Sequence, residues 1–280
     1  MIMVTGGSGG LARLVVERLA GVEHVVGSRT PDQVTSDGPV RRIDFDDPAT
    51  LAEGMRGVDT MLLISAGYAD DDVVVARHGA AIDAAEQAGV RHIVYTSLTA
   101  AGDHLAFALA HRWTERRLMA GRTDWTILRN GIYAEMSIPE AVGAAATGSL
   151  TGPLGDGRLA AVAREDLADV TARVLANPVP HRGKVYELVG EHAIGGIDIA
   201  AAAAEASGRD IAYRPGSLDQ LRKALVGFGV PDWQVPIVVS TYSNIAAGFL
   251  AGTDSDLRVL LGCPPRSTLR VIAAAVSGQT

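Results

Sequence analysis

Short apolar runs alternate with helical patterns along the first half of the chain. The runs lie at residues 2–5, 24–28, 40–45, 59–65, 91–97 and 124–130. Between them, apolar residues recur at helical spacing in residues 11–21, 51–57, 70–89 and 104–120. Strands that alternate with helices predict crossover units, and therefore a parallel sheet covered by helices on both faces.

The second half of the chain has a different pattern. Residues 148–158 are rich in glycine and predict a loop, whereas 164–178 predict a helix and 183–190 a further strand. Helical patterns interrupted by Gly and Pro then follow at 197–208, 217–228, 236–250 and 267–277. We expect an α/β fold: a Rossmann-type doubly wound parallel sheet at 1–130, to which strand 183–190 returns, and a smaller, mostly helical carboxyl-terminal lobe at 131–280.

Composition and charge restrict the classes of function. The 280 residues are 48% hydrophobic and 20% charged, which is typical of a chain with a buried core. The net charge is −7 and no run of Lys or Arg occurs, so nucleic-acid binding is disfavoured. Cys263 is the only cysteine and the seven histidines show no metal-ligand spacing, so we expect neither a disulfide nor a metal.

The amino-terminal residues and the length of the apolar runs indicate where in the cell the protein is found. Apolar strand residues begin at Ile2, which leaves no room for a signal peptide, and no apolar run reaches membrane-spanning length. We therefore expect a cytoplasmic protein without a membrane partner, either a monomer or a homodimer.

The segment VTGGSGGLARLV (4–15) admits two interpretations. Its pattern G-x-S-x-G is that of a hydrolase's nucleophile elbow, with Ser8 as nucleophile. It is also that of a glycine-rich turn that binds the phosphates of a dinucleotide. The elbow needs an oxyanion donor from an earlier loop, and the motif follows the first strand of the chain with only five residues ahead of it. The sequence therefore favours the dinucleotide interpretation, in which Gly6-x-x-Gly9-x-x-Ala12 lets the backbone approach a pyrophosphate at the start of a helix.

The end of the second predicted strand indicates which dinucleotide is bound. NAD-specific sites usually place an acid there to hold the ribose hydroxyls, but this chain has Gly27, Ser28, Arg29 and Thr30. The planar guanidinium of Arg29 suits a 2′-phosphate, which favours NADPH. The alternative is a solvated arginine before the turn at Pro31.

With these residues, the chain resembles the NmrA-like atypical short-chain dehydrogenases/reductases, particularly the flavin-free bacterial quinone oxidoreductases and triphenylmethane reductases. The matching segments are VTGGSGGLA (4–12), LLIS (62–65), RHIVYTSL (91–98), TILRNGIYAE (126–135), GDGRLAAVAREDLADV (155–170) and GKVYELVG (183–190). The resemblance implies an NADPH-binding domain at 1–130 and a substrate-binding lobe at 131–280. It also implies hydride transfer to a quinone or similar small electrophile.

The resemblance also assigns roles to individual positions. The pyrophosphate would contact Gly6, Gly7, Ser8, Gly9, Gly10 and Leu11, and the 2′-phosphate would contact Arg29. Ser65, Thr96 and Ser97 would line the nicotinamide side. Asn130 and Gly131 would border both the cofactor and the substrate cleft. Tyr133 would also border the substrate cleft.

The chain departs from the family in its acid–base groups. No tyrosine is followed by a lysine four residues later, and the lysine that relatives carry after His-x-x-x-Glu is Arg116 here. Arginine cannot act as a general acid, although Arg116 could bind a phosphate, a ribose or a developing oxyanion. The catalytic candidates are therefore Tyr133, Asn130 and Arg116. A quinone suits such a site because the hydroquinone anion needs charge stabilisation more than immediate protonation. The other hypothesis is a non-catalytic, NADP(H)-sensing regulator of the NmrA type.

Overall fold

A seven-stranded parallel sheet forms the centre of the fold, in the order β3-β2-β1-β4-β5-β6-β8. The computed structural model describes residues 1–66 and 69–278. The strands in these ranges are β1 (Ile2–Val4), β2 (His24–Ser28), β3 (Val40–Arg42), β4 (Thr60–Ile64), β5 (His92–Leu98), β6 (Asp124–Asn130), β7 (Ser149–Gly152), β8 (Lys184–Leu188) and β9 (Ala212–Pro215). The Rossmann-type sheet predicted from the apolar runs, including the returning strand β8, is confirmed.

Helices connect most of the strands along the chain. Within the described ranges they are α1 (Gly10–Arg18), α2 (Pro48–Gly54), α3 (Asp71–Ala88), α4 (Ala108–Met119), α5 (Ile138–Thr147), α6 (Arg164–Ala176), α7 (Gly196–Ser207), α8 (Leu218–Gly227), α9 (Gln234–Ala246), α10 (Leu257–Leu261) and α11 (Thr268–Val276). Apart from α5 and α10, each lies within or close to a segment whose spacing predicts a helix.

The strand order reverses next to β1. Met3 pairs in parallel with Val25 of β2 on one side and with Met61 of β4 on the other. The chain therefore runs from β1 outward to β3 and returns to the opposite side of β1 at β4. In doubly wound sheets, ligands bind outside the carboxyl ends of the strands at this reversal.

Helix α3 shows how the sequence sets an element that covers the sheet. Asp71 and Asp72 lie in its first turn, where negative charge is favourable, and it ends at Gly89 with a left-handed φ of 78°. Its buried residues are Val74, His78, Ala81, Ile82 and Ala85. This spacing places them on one face, and Ala81, Ile82 and Ala85 join the core that contains residues of β1, β4 and β5.

A smaller sheet corrects one expectation from the sequence. Residues 148–158 predict a loop, yet Ser149–Gly152 form β7, which pairs in parallel with β9. This pairing joins residues far apart in the chain, so local pattern cannot reveal it. Helices α5 and α7, together with residues of β7 and α11, enclose a core of Ala141, Ala144, Leu150, Ile194, Ile199, Ala200, Ala203 and Ile272.

The chain divides into two compact units. The first comprises Met1–Leu98, Leu109–Arg129 and Leu167–Tyr186, and the second comprises Thr99–Ala108, Asn130–Asp166 and Glu187–Thr280. The functional division into 1–130 and 131–280 stays a prediction. None of the helices in the described ranges combines the length and apolar character that a membrane span requires.

Candidate cofactor and substrate site

The glycine-rich turn after β1 is built from backbone hydrogen bonds. The Gly7 N–H donates to the Gly27 carbonyl at 2.9 Å, and the Gly9 N–H donates to the Gly6 carbonyl at 2.8 Å. Gly6 has a φ of 68°, a conformation that side chains disfavour. A Cβ on Gly7 would lie 2.3 Å from Cγ1 of Val26, so this glycine lets the turn pack closely against β2.

The turn leads into the amino terminus of α1. The N-cap residue Gly9 has no side chain to accept from the first N–H groups of the helix. The N–H groups of Gly10 and Leu11 therefore have no acceptor within the helix, and the positive end of the helix dipole lies beside them. Gly6, Ser8, Gly9 and Gly10 are exposed, as a phosphate-binding turn requires.

Arg29 directly follows β2. Its side chain is exposed, and the preceding hydroxyl of Ser28 accepts the Thr30 N–H at 3.1 Å, which fixes the turn after the strand. The guanidinium is therefore accessible at the carboxyl edge of the sheet. The role of Arg29 as a ligand of the 2′-phosphate stays a prediction.

The carboxyl ends of β1, β4 and β5 are tied together by two threonines. Thr5 Oγ1 donates to the Leu62 carbonyl at 2.9 Å and accepts from the Ile64 N–H at 3.0 Å. The Ser65 N–H donates to Thr96 Oγ1 at 3.1 Å. Ser65 and Thr96, which were predicted to line the nicotinamide side, thus lie together at this edge.

The hydroxyl of Ser97 is bound to a buried carboxylate that sequence reasoning left without a role. Ser97 Oγ donates to Glu115 Oε1 at 2.6 Å, and Glu115 is only 3% exposed. Two arginines neutralise this carboxylate: Nη1 of Arg112 lies 2.9 Å from Oε1, and Nη2 of Arg129 lies 2.7 Å from Oε2. Ser97 therefore keeps only acceptor capacity for a ligand, and its position is fixed by Glu115.

Arg116, the third catalytic candidate, lies in the last turn of α4 and is exposed. Adjacent residues on a helix point in directions about 100° apart, so Arg116 does not share the buried environment of Glu115. It belongs to the first compact unit, whereas Asn130 and Tyr133 belong to the second. A catalytic role for Arg116 stays a prediction.

Asn130, the last residue of β6, has a buried side chain without a hydrogen-bond partner. It is 4% exposed, and among the described residues neither Nδ2 nor Oδ1 has a hydrogen-bond partner. Its backbone is fixed, since its carbonyl accepts the Thr99 N–H at 2.9 Å and the next N–H, of Gly131, donates to Leu188 at 2.9 Å. A buried amide without partners costs folding free energy, so such a group indicates a ligand that completes its hydrogen bonds.

Gly131 and Tyr133 follow Asn130 in the second unit. A Cβ on Gly131 would lie 3.1 Å from Cγ1 of Val189, so the residue allows close approach of the chain after β8. The ring of Tyr133 is half-buried and packs under Arg164, whose guanidinium carbon is 5.0 Å from the ring centroid. Asn130, Gly131 and Tyr133 are neighbours in the chain, and their roles at the substrate cleft stay predictions.

A buried polar network supports the segment after β4. The Ala66 N–H donates to Nε2 of His78 at 2.8 Å, so the ring proton is on Nδ1 and points to Oγ1 of Thr114 at 2.7 Å. Burial lowers the pKa of His78 to about 3, which keeps the imidazole neutral. Helical spacing places His78 on the buried face of α3, but no sequence signal identifies its partners.

The second unit contains a half-buried carboxyl group on α5. Tyr242 of α9 donates a hydrogen bond to Oε1 of Glu140. Burial raises the pKa of Glu140 to about 7. No feature of the sequence distinguishes this glutamate from a solvated residue in the first turn of a helix.

The chain is similar to nicotinamide-dependent reductases along most of its length. A family model described as NAD(P)H-binding matches residues 6–178. The chain is 33% identical over 273 residues to quinone oxidoreductase 2 of Escherichia coli (strain K12), and the alignment covers 94% of this chain and 94% of that protein.

The chain is also similar to solved structures of reductases that bind NADPH or NADP(H). An NADPH-dependent quinone oxidoreductase of Escherichia coli in complex with NADPH matches with a TM-score of 0.89 at 32% identity, over 98% of this chain and 99% of that one. The triphenylmethane reductase of Citrobacter sp. in complex with NADP(H) matches with a TM-score of 0.88 at 27% identity, over 100% of this chain and 99% of that one.

Proposed function

Since the chain belongs to the NAD(P)H-binding family, we propose that it is an NADPH-dependent reductase of quinones or similar small electrophiles, which needs neither flavin nor metal. The similarity to the Escherichia coli quinone oxidoreductase supports the substrate class, and the similarity to triphenylmethane reductase supports a wider range of conjugated electrophiles.

The observation that carries the proposal is the amide of Asn130. It is buried at the carboxyl end of β6, where doubly wound folds bind their ligands, and it offers one acceptor and two donor protons. A carboxamide would pair with both the donor and the acceptor of this amide, and a quinone oxygen would accept from its Nδ2. An ordinary structural asparagine at this burial would be hydrogen-bonded to the protein.

The residues of the first unit fit a phosphorylated dinucleotide. The N–H groups of Gly10 and Leu11, which follow the turn, would hold the pyrophosphate, and Arg29 would hold the 2′-phosphate by charge-assisted hydrogen bonds. Ser65, Thr96 and Ser97 would border the nicotinamide. When bound, NADPH would supply the hydride.

The side chains near Asn130 suit an acceptor that becomes a weakly basic anion. The chain lacks a Tyr-x-x-x-Lys pair, and a quinone requires none because its reduced form is a stabilised aromatic anion that water can protonate. The Asn130 amide would donate to a ligand oxygen and so stabilise negative charge on it. A simple ketone would need a stronger acid because its alkoxide is more basic.

The proposal is tested with purified protein, NADPH and a simple benzoquinone, in the presence of a metal chelator and without added flavin. We expect the absorbance of reduced nicotinamide to fall with time and the Gly9→Val variant to be inactive. Activity that appears only with added flavin would overturn the mechanism. Tight cofactor binding without turnover of any quinone would overturn the enzymatic function and favour a cofactor-sensing regulator.

A further inference from the structure

Asp46 and Arg77 form a two-point ion pair in the first unit. Nε of Arg77 donates to Oδ1 of Asp46 at 2.8 Å, and Nη2 donates to Oδ2 at 2.7 Å. The Arg77 side chain is 20% exposed and that of Asp46 is 49% exposed. This parallel geometry is the most specific arrangement available to an arginine and a carboxylate.

The pair lies at the same edge of the sheet as Arg29, the proposed ligand of the 2′-phosphate. Strands β2 and β3 are parallel neighbours, Ser28 pairs with Arg42, and the Ile43 N–H donates to the Ser28 carbonyl at 2.9 Å. Arg29 follows the first of these strands, and the loop that contains Asp46 follows the second, at the same edge. The hydrogen bonds from Arg77, and then the charges of Arg77 and Arg29, hold the pKa of Asp46 below its usual value.

The acids of this loop differ in what they contact. Asp47 caps α2 by accepting the Ala49 N–H, and Asp44 accepts the Asp46 N–H at 3.1 Å. The described hydrogen bonds of the Asp46 carboxylate are those to Arg77. Asp46 therefore contributes a negative charge near Arg29, while the fold of the loop rests on its neighbours.

A negative charge at this edge conflicts with a preference for NADPH. An acid at the end of the second strand favours NAD because it accepts from the ribose hydroxyls and repels a 2′-phosphate, and an unpaired Asp46 carboxylate after the neighbouring strand β3 would repel that phosphate in the same way. We propose that Arg77 is a specificity-determining residue, which pairs with Asp46 and so leaves Arg29 available to the 2′-phosphate of NADPH. This inference rests on the proposed function, because it assumes that NADPH is the cofactor.

The test is a double-mutant cycle in which NADPH and NADH are titrated by fluorescence at low ionic strength. We expect Arg77→Met to weaken NADPH binding roughly tenfold, since Asp46 would then act on Arg29 and on the phosphate. NADH binding would stay unchanged or become tighter. Asp46→Asn alone would change NADPH affinity little. The double variant would restore NADPH affinity to within about threefold of the wild type.

Arg91→Met is the matched control. Arg91 pairs with Asp59 at 2.8 Å, and both residues directly precede strands, so this exposed pair lies at the opposite edge of the sheet. The control should leave both cofactor affinities unchanged. Equal weakening of NADPH and NADH by Arg77→Met, or no recovery in the double variant, would overturn the role of Arg77. A wild-type protein that does not prefer NADPH would instead overturn the proposed cofactor.

Discussion

Two glycines of the turn after β1 have different roles. A Cβ on Gly9 would lie 3.1 Å from the Gly6 carbonyl oxygen, and the φ of Gly9 is −83°, which other residues adopt. We expect Gly9→Val to abolish NADPH binding with little loss of stability, because the added side chain would occupy the phosphate position. Fluorescence titration and urea unfolding measure the two effects. Gly7→Ala is the contrasting variant: its Cβ would clash with Val26, and we expect it to destabilise the fold by about 1–3 kcal/mol.

Arg29 is the residue on which cofactor choice should depend most directly. A charge-assisted bidentate contact contributes about 1.5–3 kcal/mol, so we expect Arg29→Met to weaken NADPH binding roughly ten- to more than a hundredfold. NADH lacks the 2′-phosphate and should bind with nearly the same affinity as before. Equal loss of affinity for both cofactors would identify Arg29 as a general surface charge.

Asn130 offers a test in which stability and activity change in opposite directions. Replacing a buried amide that lacks partners with a side chain of similar size, Asn130→Leu, should raise the free energy of unfolding of the ligand-free protein by about 1 kcal/mol. Turnover should fall because the ligand loses its hydrogen bonds. Urea unfolding and steady-state kinetics check the pair of effects. A destabilised variant would show that the amide serves the fold.

Helices α5 and α9 are joined by the Glu140–Tyr242 contact. We expect this contact to make the stability of the protein depend on pH, because Glu140 titrates. Glutamate ionises near pH 4.5 when unfolded, but burial raises the pKa of Glu140 to about 7. Between pH 4.5 and about 7, folding is therefore coupled to the uptake of a proton by Glu140. The contribution of Glu140 to the free energy of unfolding falls as the pH rises through this range. Glu140→Gln keeps an acceptor for Tyr242 and cannot ionise. We expect the variant to match the wild type at pH 4.5 and to exceed it by up to about 3 kcal/mol at pH 8. Parallel urea-unfolding curves at all pH values would contradict this.

Local pattern predicts some elements of this protein and not others. The central strands β1, β4 and β5 are mostly apolar runs, since both of their faces are buried in a parallel sheet, and the glycine spacing marks the turn after β1. By contrast, β7 and β9 are four-residue strands that form only by pairing with each other. Local pattern also does not predict contacts between side chains that are far apart in the sequence. Arg129 lies 14 residues from its partner Glu115, and Arg77 lies 31 residues from its partner Asp46.

The order of the two compact units along the sequence limits which fragments of the protein can be expressed alone. Their six segments alternate along the sequence, so the backbone passes from one unit to the other five times. No single stop codon or protease site separates such units. A gene fragment encoding residues 1–130 would lack α6 and β8 entirely, leave β6 as an open sheet edge and uncover apolar surface. We expect this fragment to be insoluble when expressed alone, as a sedimentation assay would show. Co-expression with residues 131–280 should rescue it, because the two fragments together contain every segment of the first unit.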